Sequence, residues 1–177
     1  MYKTLIRPVL FKFNPEVAHN LTLNGLKVLR RIPFARNIVR LIYKREHPNL
    51  EREVFGIKFP NPVGLAGGLD KNGEVYNELS DFGFGFVEIG SLTAKPQPGN
   101  PKPRLFRVVK DKAIINRMGI NNHGVTQAIR NINSNHPRVI IAGNIAPNSS
   151  SQGEQVTEDY KTAFSLLYDF VDMFVIN

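Results

Sequence analysis

The fold is indicated first by residues 63–71, which read Val63-Gly64-Leu65-Ala66-Gly67-Gly68-Leu69-Asp70-Lys71. A short apolar run that passes directly into two glycines is typical of a buried strand ending in a tight turn. Backbone N–H groups of such a turn can approach a ligand closely, and Lys71 could add a positive charge for a phosphate or carboxylate. The spacing is neither that of a P-loop nor that of a dinucleotide-binding fingerprint. Plain loop structure is the alternative explanation of these residues.

The residues on the C-terminal side repeat the pattern of a short apolar strand and a helix. We predict strands over 86–89, 139–142 and 173–176, helices over 73–81, 125–132 and 157–170, a short hairpin strand over 54–59 and a hairpin over 105–115. Strands that are apolar throughout are typical of a parallel sheet covered by helices, so the sequence predicts an α/β fold with four such units. Ligands bind at the carboxyl ends of parallel strands, and these ends carry Gly67-Gly68, Gly90-Ser91, Gly143-Asn144 and Asn177.

A second candidate site is the loop Asn116-Arg117-Met118-Gly119-Ile120-Asn121-Asn122-His123-Gly124. Its amides and guanidinium group offer paired donors and acceptors that suit a planar heterocycle bearing a carboxylate. An Asn-rich turn with local hydrogen bonds explains the same residues equally well. The four histidines, at positions 19, 47, 123 and 136, show no metal-ligand spacing, so we predict no metal site.

Composition and charge divide the chain into two parts. The chain has 177 residues, of which 42% are hydrophobic, and no cysteine. It is therefore long enough for one core, and a disulfide miniprotein, a zinc ribbon, an iron–sulfur site and a cysteine nucleophile are excluded. The net charge of +8 arises within residues 1–50, which contain ten basic and two acidic residues, whereas residues 51–177 contain 13 of each. We predict a basic N-terminal module, 1–50, and a neutral domain, 51–177.

The basic module has the apolar spacing of three amphipathic helices. The first is predicted over 2–13, the second begins with Asn14 as N-cap and Pro15 as first residue, and the third covers 34–44. Such helices either cover their own domain as a cap or lie in a membrane interface, and spacing alone favours the cap. No run approaches the roughly 20 apolar residues of a membrane span, and no signal-peptide pattern is present. Nucleic-acid binding is not predicted, because no recognised motif accompanies the charge.

Five longer motifs occur in order along the chain. They are Asn14-Pro15-Glu16-Val17-Ala18-His19, Asn61-Pro62-Val63-Gly64-Leu65-Ala66-Gly67-Gly68-Leu69-Asp70-Lys71, Glu88-Ile89-Gly90-Ser91-Leu92-Thr93-Ala94-Lys95-Pro96-Gln97-Pro98-Gly99-Asn100, Pro103-Arg104-Leu105-Phe106-Arg107 and Asn116-Arg117-Met118-Gly119. Together they closely resemble dihydroorotate dehydrogenase of the quinone-linked, membrane-associated class, and the resemblance covers the whole chain.

The resemblance implies a (β/α)₈ TIM barrel that binds FMN. Such an enzyme oxidises dihydroorotate to orotate in pyrimidine synthesis and passes the electrons to a membrane quinone. A barrel of this kind needs about 250 residues, and 127 follow residue 50. We therefore expect about the first four β/α units, preceded by the helical module. The family's catalytic base, a serine, is expected just after Asn177, so no catalytic base is assigned within this chain.

The resemblance also implies roles for individual residues. FMN is expected to be bordered by Gly67, Gly68, Leu69, Asp70, Lys71, Ser91, Asn144 and Asn177. The substrate is expected to be held by Lys71, Asn116, Arg117, Met118, Gly119, Ile120 and Asn177. Four residues depart from the family pattern: Ile120 stands where Phe is usual, Ser91 where Thr is usual, and Ala146-Pro147 where Gly-Lys is usual.

The N-terminal helices acquire a different interpretation from the resemblance. In this class they form a membrane-docking tunnel for quinone, with His19 and Arg107 on the quinone side. The expected partner surface is then an anionic membrane, bound peripherally on the cytoplasmic side of the cell inner membrane, with no nucleic-acid partner. One alternative is a truncated, inactive fragment that at most retains membrane association. Another is a soluble relative using fumarate or NAD, but those relatives lack the helical extension.

Overall fold

A four-stranded parallel sheet forms the centre of the fold in the computed structural model, which describes residues 2–177. Its strands are β3 (Gly64–Leu65), β4 (Phe86–Leu92), β7 (Ile140–Ile145) and β8 (Met173–Ile176), hydrogen-bonded in the order β3-β4-β7-β8. The predicted parallel α/β arrangement is therefore confirmed. The predicted strand over 173–176 has the predicted bounds, whereas β4 and β7 extend three residues further, to Leu92 and Ile145.

Helices cover one face of this sheet and bury its apolar side chains. They are α4 (Tyr76–Ser80), α5 (Val125–Asn135) and α6 (Glu154–Leu167), the last continued by a 3₁₀ turn over Tyr168–Phe170. Val87, Ile89 and Ile141 alternate along their strands and are fully buried in the resulting core. Their neighbours Phe86 and Glu88 are only half-buried. Because successive side chains in a strand point to opposite faces, the sheet has a second, more open face.

One ring contact joins the N-terminal hairpin to this open face. Strands β1 (Arg52–Val54) and β2 (Ile57–Phe59) form the hairpin, after a 3₁₀ turn over Pro48–Leu50. The ring of Phe59 meets that of Phe86 edge-on, with centroids 5.6 Å apart. The Phe86 ring also covers Gly64, where a Cβ atom would lie 2.0 Å from a ring carbon. No side chain larger than hydrogen fits at position 64 while the ring keeps this place.

The N-terminal segment forms a π-helical turn (Tyr2–Ile6) and three α-helices, α1 (Arg7–Leu10), α2 (Pro15–Leu29) and α3 (Ala35–Tyr43). The N-cap prediction for α2 is confirmed, because Asn14 Oδ1 accepts a hydrogen bond from the Glu16 amide at 2.9 Å. The single helix predicted over 2–13 is instead interrupted and shorter. Pro8 lies in the first turn of α1, and its missing N–H prevents an unbroken α-helical ladder through this point.

Ion pairs fasten the N-terminal helices to the rest of the chain. Lys27 of α2 pairs with Glu74 at 2.8 Å. Arg36 and Arg40 of α3 both donate from Nε to the carboxylate of Asp81, which is only 1% exposed. The arginines of α3 thus reach a buried partner at the end of α4.

A second hairpin, β5 (Leu105–Val108) and β6 (Ala113–Asn116), projects from the loop after β4 and confirms the predicted hairpin. Helix α4 is shorter than the predicted 73–81. The carboxylate of Asp70 accepts hydrogen bonds from the Glu74 and Val75 amides, both at 2.8 Å. These bonds hold a turn ahead of the helix, where Gly73 has φ +66°. The α-helix therefore begins only at Tyr76.

Candidate active site

A cavity of about 450 Å³ opens at the carboxyl ends of the four parallel strands. The resemblance had predicted most of the residues that line it. These are Gly67, Gly68, Lys71, Ser91, Asn144, Asn177 and the whole loop 116–120. Residues up to 110 positions apart in sequence thus meet in one place, which is where parallel α/β proteins bind their ligands.

The glycine turn after β3 forms one wall of this cavity. The Gly68 amide donates to the carbonyl oxygen of Gly90 at 2.8 Å, which fixes the turn against β4. Gly68 has φ +99°, a conformation that favours glycine. Lys71 folds back, and its Nζ donates to the Gly68 carbonyl. Burial, followed by the charge of Arg104, lowers the pKa of Lys71 from its usual value.

Leu69 and Asp70, both predicted to border the cofactor, do not line this cavity. Leu69 packs against the hydrophobic core. Asp70 is 1% exposed, and burial raises its pKa although two backbone N–H groups bind its carboxylate. Its side chain shapes the turn before α4. A cofactor contact by either residue therefore stays a prediction.

A glutamate that was not predicted as a site residue from the sequence also lines the cavity. Glu88 of β4 lines it, and its Oε1 accepts a hydrogen bond from Asn144 Nδ2 at 2.6 Å. Asn144 is 7% exposed, and its Oδ1 is buried without a hydrogen-bond partner among residues 2–177. The carboxylate thus fixes the amide so that a buried acceptor is left for a ligand, because such groups are normally paired. An isolated charge within the apolar run 86–89 was the signal for this residue.

Asn177 and Ser91 meet at another side of the cavity. Asn177 Nδ2 donates to Ser91 Oγ at 2.6 Å, and the Asn177 amide donates to the Ile145 carbonyl at 3.1 Å. These bonds join the ends of β4, β7 and β8. Pro147, where the resemblance expected a lysine, does not line the cavity, and the adjoining Ala146 is 1% exposed.

The loop 116–120 closes the cavity from the β6 side. Asn116 Oδ1 accepts from the Met118 amide at 2.9 Å, so this side chain shapes its own loop. Gln97 Nε2 donates to the carbonyls of Gly119 and Ile120 at 3.3 and 3.0 Å. Ile120, the departure from the family's Phe, has φ +53°, which is strained for a β-branched residue. The loop contains the local hydrogen bonds of an Asn-rich turn and also lines the cavity, so its role in holding a ligand stays a prediction.

The two residues predicted on the quinone side lie apart from this cavity. His19 lines a second cavity of about 430 Å³ under α2, and burial, followed by the charge of Lys71, lowers its pKa. Lys71 and Met118 line both cavities. Arg107 lines neither. It donates to the carbonyls of Phe13 and Leu10 at 2.7 and 3.2 Å, so it holds the end of the first helical segment.

Comparison with known proteins agrees with this geometry. The family model described as dihydroorotate dehydrogenase matches residues 49–177. Over all 177 residues, the chain is 52% identical to a "Dihydroorotate dehydrogenase (quinone)" of Christiangramia forsetii and 41% identical to one of Methylococcus capsulatus. The matches cover 100% of this chain but 52% and 51% of those proteins. The chain thus spans about half the length of the curated relatives it matches.

A solved structure shows the same likeness in three dimensions. It is the crystal structure of DHODH from Eimeria tenella in complex with ferulenol, with a TM-score of 0.77 and 34% sequence identity. The match covers 92% of this chain and 43% of that one. A ligand-free structure of the same Eimeria tenella protein matches with a TM-score of 0.75.

Proposed function

Because this chain belongs to the dihydroorotate dehydrogenase family, we propose that it supplies the N-terminal half of a quinone-dependent dihydroorotate dehydrogenase of pyrimidine synthesis. The enzyme oxidises dihydroorotate to orotate and transfers the electrons to a membrane quinone. The observation that carries this proposal is the single cavity at the strand ends, which gathers Lys71, the loop 116–120 and the amides of Asn144 and Asn177. The names of the relatives supply the substrate and the acceptor.

We propose a (β/α)₈ barrel for the whole protein, in which residues 51–177 provide the first four units and residues 1–50 the helical module. Support comes from the parallel sheet, whose outer strands β3 and β8 each have one neighbour within residues 2–177. In a closed barrel such edges are paired. The half-buried side chains of Phe86, Ile140 and Met173 would then become interior.

FMN fits the residues on one side of the cavity. The buried Oδ1 of Asn144 has no partner within residues 2–177 and suits an N–H donor of a flavin ring. At Gly67 a Cβ atom would lie 2.5 Å from Glu88 Oε1, so a larger residue there would displace the carboxylate that orients Asn144. We propose Gly67, Gly68, Lys71, Ser91, Asn144 and Asn177 as FMN contacts. When bound, FMN accepts the hydride that dihydroorotate loses.

The residues facing this proposed FMN side hold the substrate. Arg117 and Lys71 supply positive charge for the carboxylate of dihydroorotate, and Asn116 and Asn177 supply amide groups for the ring. Their combined task is to hold the flat ring in one orientation, which is a large part of catalysis when two groups must meet in a fixed geometry. We assign proton removal to the serine expected after Asn177.

We propose that the helical module docks peripherally on an anionic membrane surface, at the cytoplasmic side of the cell inner membrane. Leu5, Phe34, Ile38 and Leu41 expose between 58% and 81% of their surface, beside the basic residues of the same helices. Helices of this composition bind membrane interfaces through both apolar and ionic contacts. Within residues 2–177, no helix combines the length and the hydropathy needed to cross a bilayer. His19 and Arg107 are proposed for the quinone side.

A chimeric enzyme tests this function. Residues 1–177 replace the matching residues of the Christiangramia forsetii relative, and the purified chimera is assayed for dihydroorotate-dependent quinone reduction and for flavin absorbance. We expect both in the chimera and neither in residues 1–177 alone. A folded chimera that binds flavin but does not oxidise dihydroorotate would contradict the substrate assignment. Flavin bound by residues 1–177 alone would contradict the division of the FMN site between two halves.

Deletion of residues 1–45 from the chimera should abolish quinone reduction and leave flavin bound. Unchanged quinone kinetics would contradict the role of the module.

A further inference from the structure

A buried ion pair joins the start of α2 to the loops around the candidate active site. Arg104 and Glu16 are 6% and 8% exposed. Arg104 Nη2 donates to Glu16 Oε1 at 2.7 Å, and its Nε lies 3.2 and 3.3 Å from the two carboxylate oxygens. This charge-assisted contact has the geometry of a fork and is shielded from water, so it fixes the relative position of the two side chains.

The same arginine holds the segment that supports the active-site loop. Its Nη1 donates to the carbonyls of Pro98 and Asn100 at 2.6 and 3.0 Å. Its own carbonyl oxygen accepts from the Arg117 amide at 2.9 Å. Asn100 in turn donates from its amide to the Met118 carbonyl at 3.0 Å and from Nδ2 to the Arg117 carbonyl at 2.8 Å. A continuous chain of hydrogen bonds therefore runs from α2 to the loop 116–120.

The segments joined by these hydrogen bonds are closely packed against each other. A Cβ atom at Gly99 would lie 2.2 Å from the Met118 carbonyl oxygen and 3.0 Å from Arg104 Nη1. A Cβ atom at Gly119 would lie 2.9 Å from the backbone nitrogen of Asn100. Both glycines have positive φ values, +73° and +72°. Such closely packed segments transmit a displacement rather than absorb it.

A more exposed lysine of the same segment also pairs with Glu16, since Lys102 Nζ lies 3.4 Å from Glu16 Oε1. Two ionic contacts at other points of the helical module connect elsewhere. Lys27 of α2 pairs with Glu74, and Arg36 of α3 pairs with Asp81. Neither contact includes a residue of the segment 97–104 or of the loop 116–120. The Glu16–Arg104 pair thus differs from them in what it connects, and the chain offers a matched control in Lys27.

We propose that Glu16 and Arg104 are positioning residues, which couple the position of the N-terminal helices to the position of the loop that carries Asn116 and Arg117. The activity consequence rests on the proposed function: displacing α2 weakens dihydroorotate binding, although α2 supplies no residue to the lining of the active-site cavity. Arg104 and Glu16 act through the segment 97–100 and do not touch the substrate.

Hydrogen exchange of residues 1–177 tests the coupling without any enzyme assay. In Glu16→Gln and Arg104→Lys we expect the Arg117 and Asn100 amides to exchange at least about tenfold faster, as loss of a charge-assisted hydrogen bond implies. Lys27→Gln should leave these two amides unchanged. Acceleration by the control as well, no acceleration at all, or a uniform acceleration that includes the Val87 and Ile89 amides of the sheet would each overturn the proposal.

Steady-state kinetics of the chimera test the consequence for the substrate site. With a soluble dye as electron acceptor, Glu16→Gln should raise KM for dihydroorotate at least about fivefold and change kcat less than twofold, whereas Lys27→Gln changes neither. Glu16→Asp should restore part of the lost affinity. An equal effect of the two Gln variants, or a loss confined to kcat, would contradict a positioning role. If the chimera lacks activity altogether, the proposed function fails while the exchange experiment still decides the coupling.

Discussion

Replacing Asp81 by Asn should release α3 from the rest of the molecule and leave the sheet folded. Asp81 is 1% exposed and accepts hydrogen bonds from Arg36 and Arg40. None of the nine residues of α3, all within the described range, is buried. Apart from a ring contact between Tyr43 and Phe82, with centroids 5.2 Å apart, α3 is therefore fastened mainly by charge.

The expected magnitude follows from the burial of the partners. Removing one member of a buried ion pair costs about 3–5 kcal/mol, because the remaining charge is left without compensation. Arg40 keeps 35% of its side chain in solvent, and Glu78 lies 3.8 Å from Arg36 and compensates part of its charge. We therefore take the lower end, about 3 kcal/mol, which at 1.36 kcal/mol per decade corresponds to a factor of about 150.

Native-state hydrogen exchange measures this factor directly. The Ile38 and Lys44 amides, bonded to the carbonyls of residues 34 and 40 at 3.1 and 2.8 Å, report on α3, and the Val87 amide reports on the sheet. We expect the first two amides to exchange about 150-fold faster in Asp81→Asn, with the Val87 amide unchanged. Glu46→Gln is the control, because it breaks the exposed pair with Lys44, worth about 0–1 kcal/mol. Unchanged protection of α3 in Asp81→Asn would refute the reasoning.

Three further changes give separate tests. Glu88→Gln frees the Asn144 amide to rotate, so FMN should bind the chimera about tenfold more weakly, as measured by flavin fluorescence titration. The hydrogen bond from Arg104 holds the pKa of Glu16 below its usual 4.5. The carboxylate therefore stabilises the fold above about pH 4.5, and this stabilisation is lost as the pH falls through the lowered pKa. Between pH 7 and 3, the free energy of unfolding in urea should fall less in Glu16→Gln than in the unchanged protein. Gly119→Ala should cost more in urea unfolding than the about 1–2 kcal/mol of its positive φ alone, because its Cβ would lie 2.9 Å from the Asn100 backbone nitrogen, whereas Gly25→Ala inside α2 should stabilise by up to about 1 kcal/mol.

Local chemistry made much of the fold predictable from the sequence. The Asn14 cap and the strand over 173–176 depend on neighbouring residues and on short apolar runs, and both were predicted correctly. Pro8 is a known signal for a helix break, but the regular apolar spacing on both sides of it led to the prediction of one continuous helix over 2–13. The first residue of α4, Tyr76, was not predictable in this way. The Asp70 carboxylate binds the Glu74 and Val75 amides in a turn, and the helix begins only after that turn.

Contacts between distant residues account for what the sequence did not reveal. The partner of Arg36 and Arg40 was not predictable from the sequence, since Asp81 lies more than 40 positions away. Glu88 lies in an apolar run, so the sequence predicted only a buried strand there. The structure shows that its carboxylate lies on the second face of the sheet, where it accepts a hydrogen bond from Asn144. The motifs identified the loops that meet at the cavity, whereas the bonds that orient them required the structure.

Because the ring of Phe86 covers Gly64, substitutions at these two positions, one in each of two neighbouring strands, depend on each other. A methyl group at position 64 has no room beside the ring, and a smaller side chain at position 86 would open a void that also removes the contact with Phe59. A larger residue at position 64 of β3 therefore requires a smaller one at position 86 of β4 in the same variant. For anyone redesigning this protein, positions 59, 64 and 86 form one unit that has to be varied as a set.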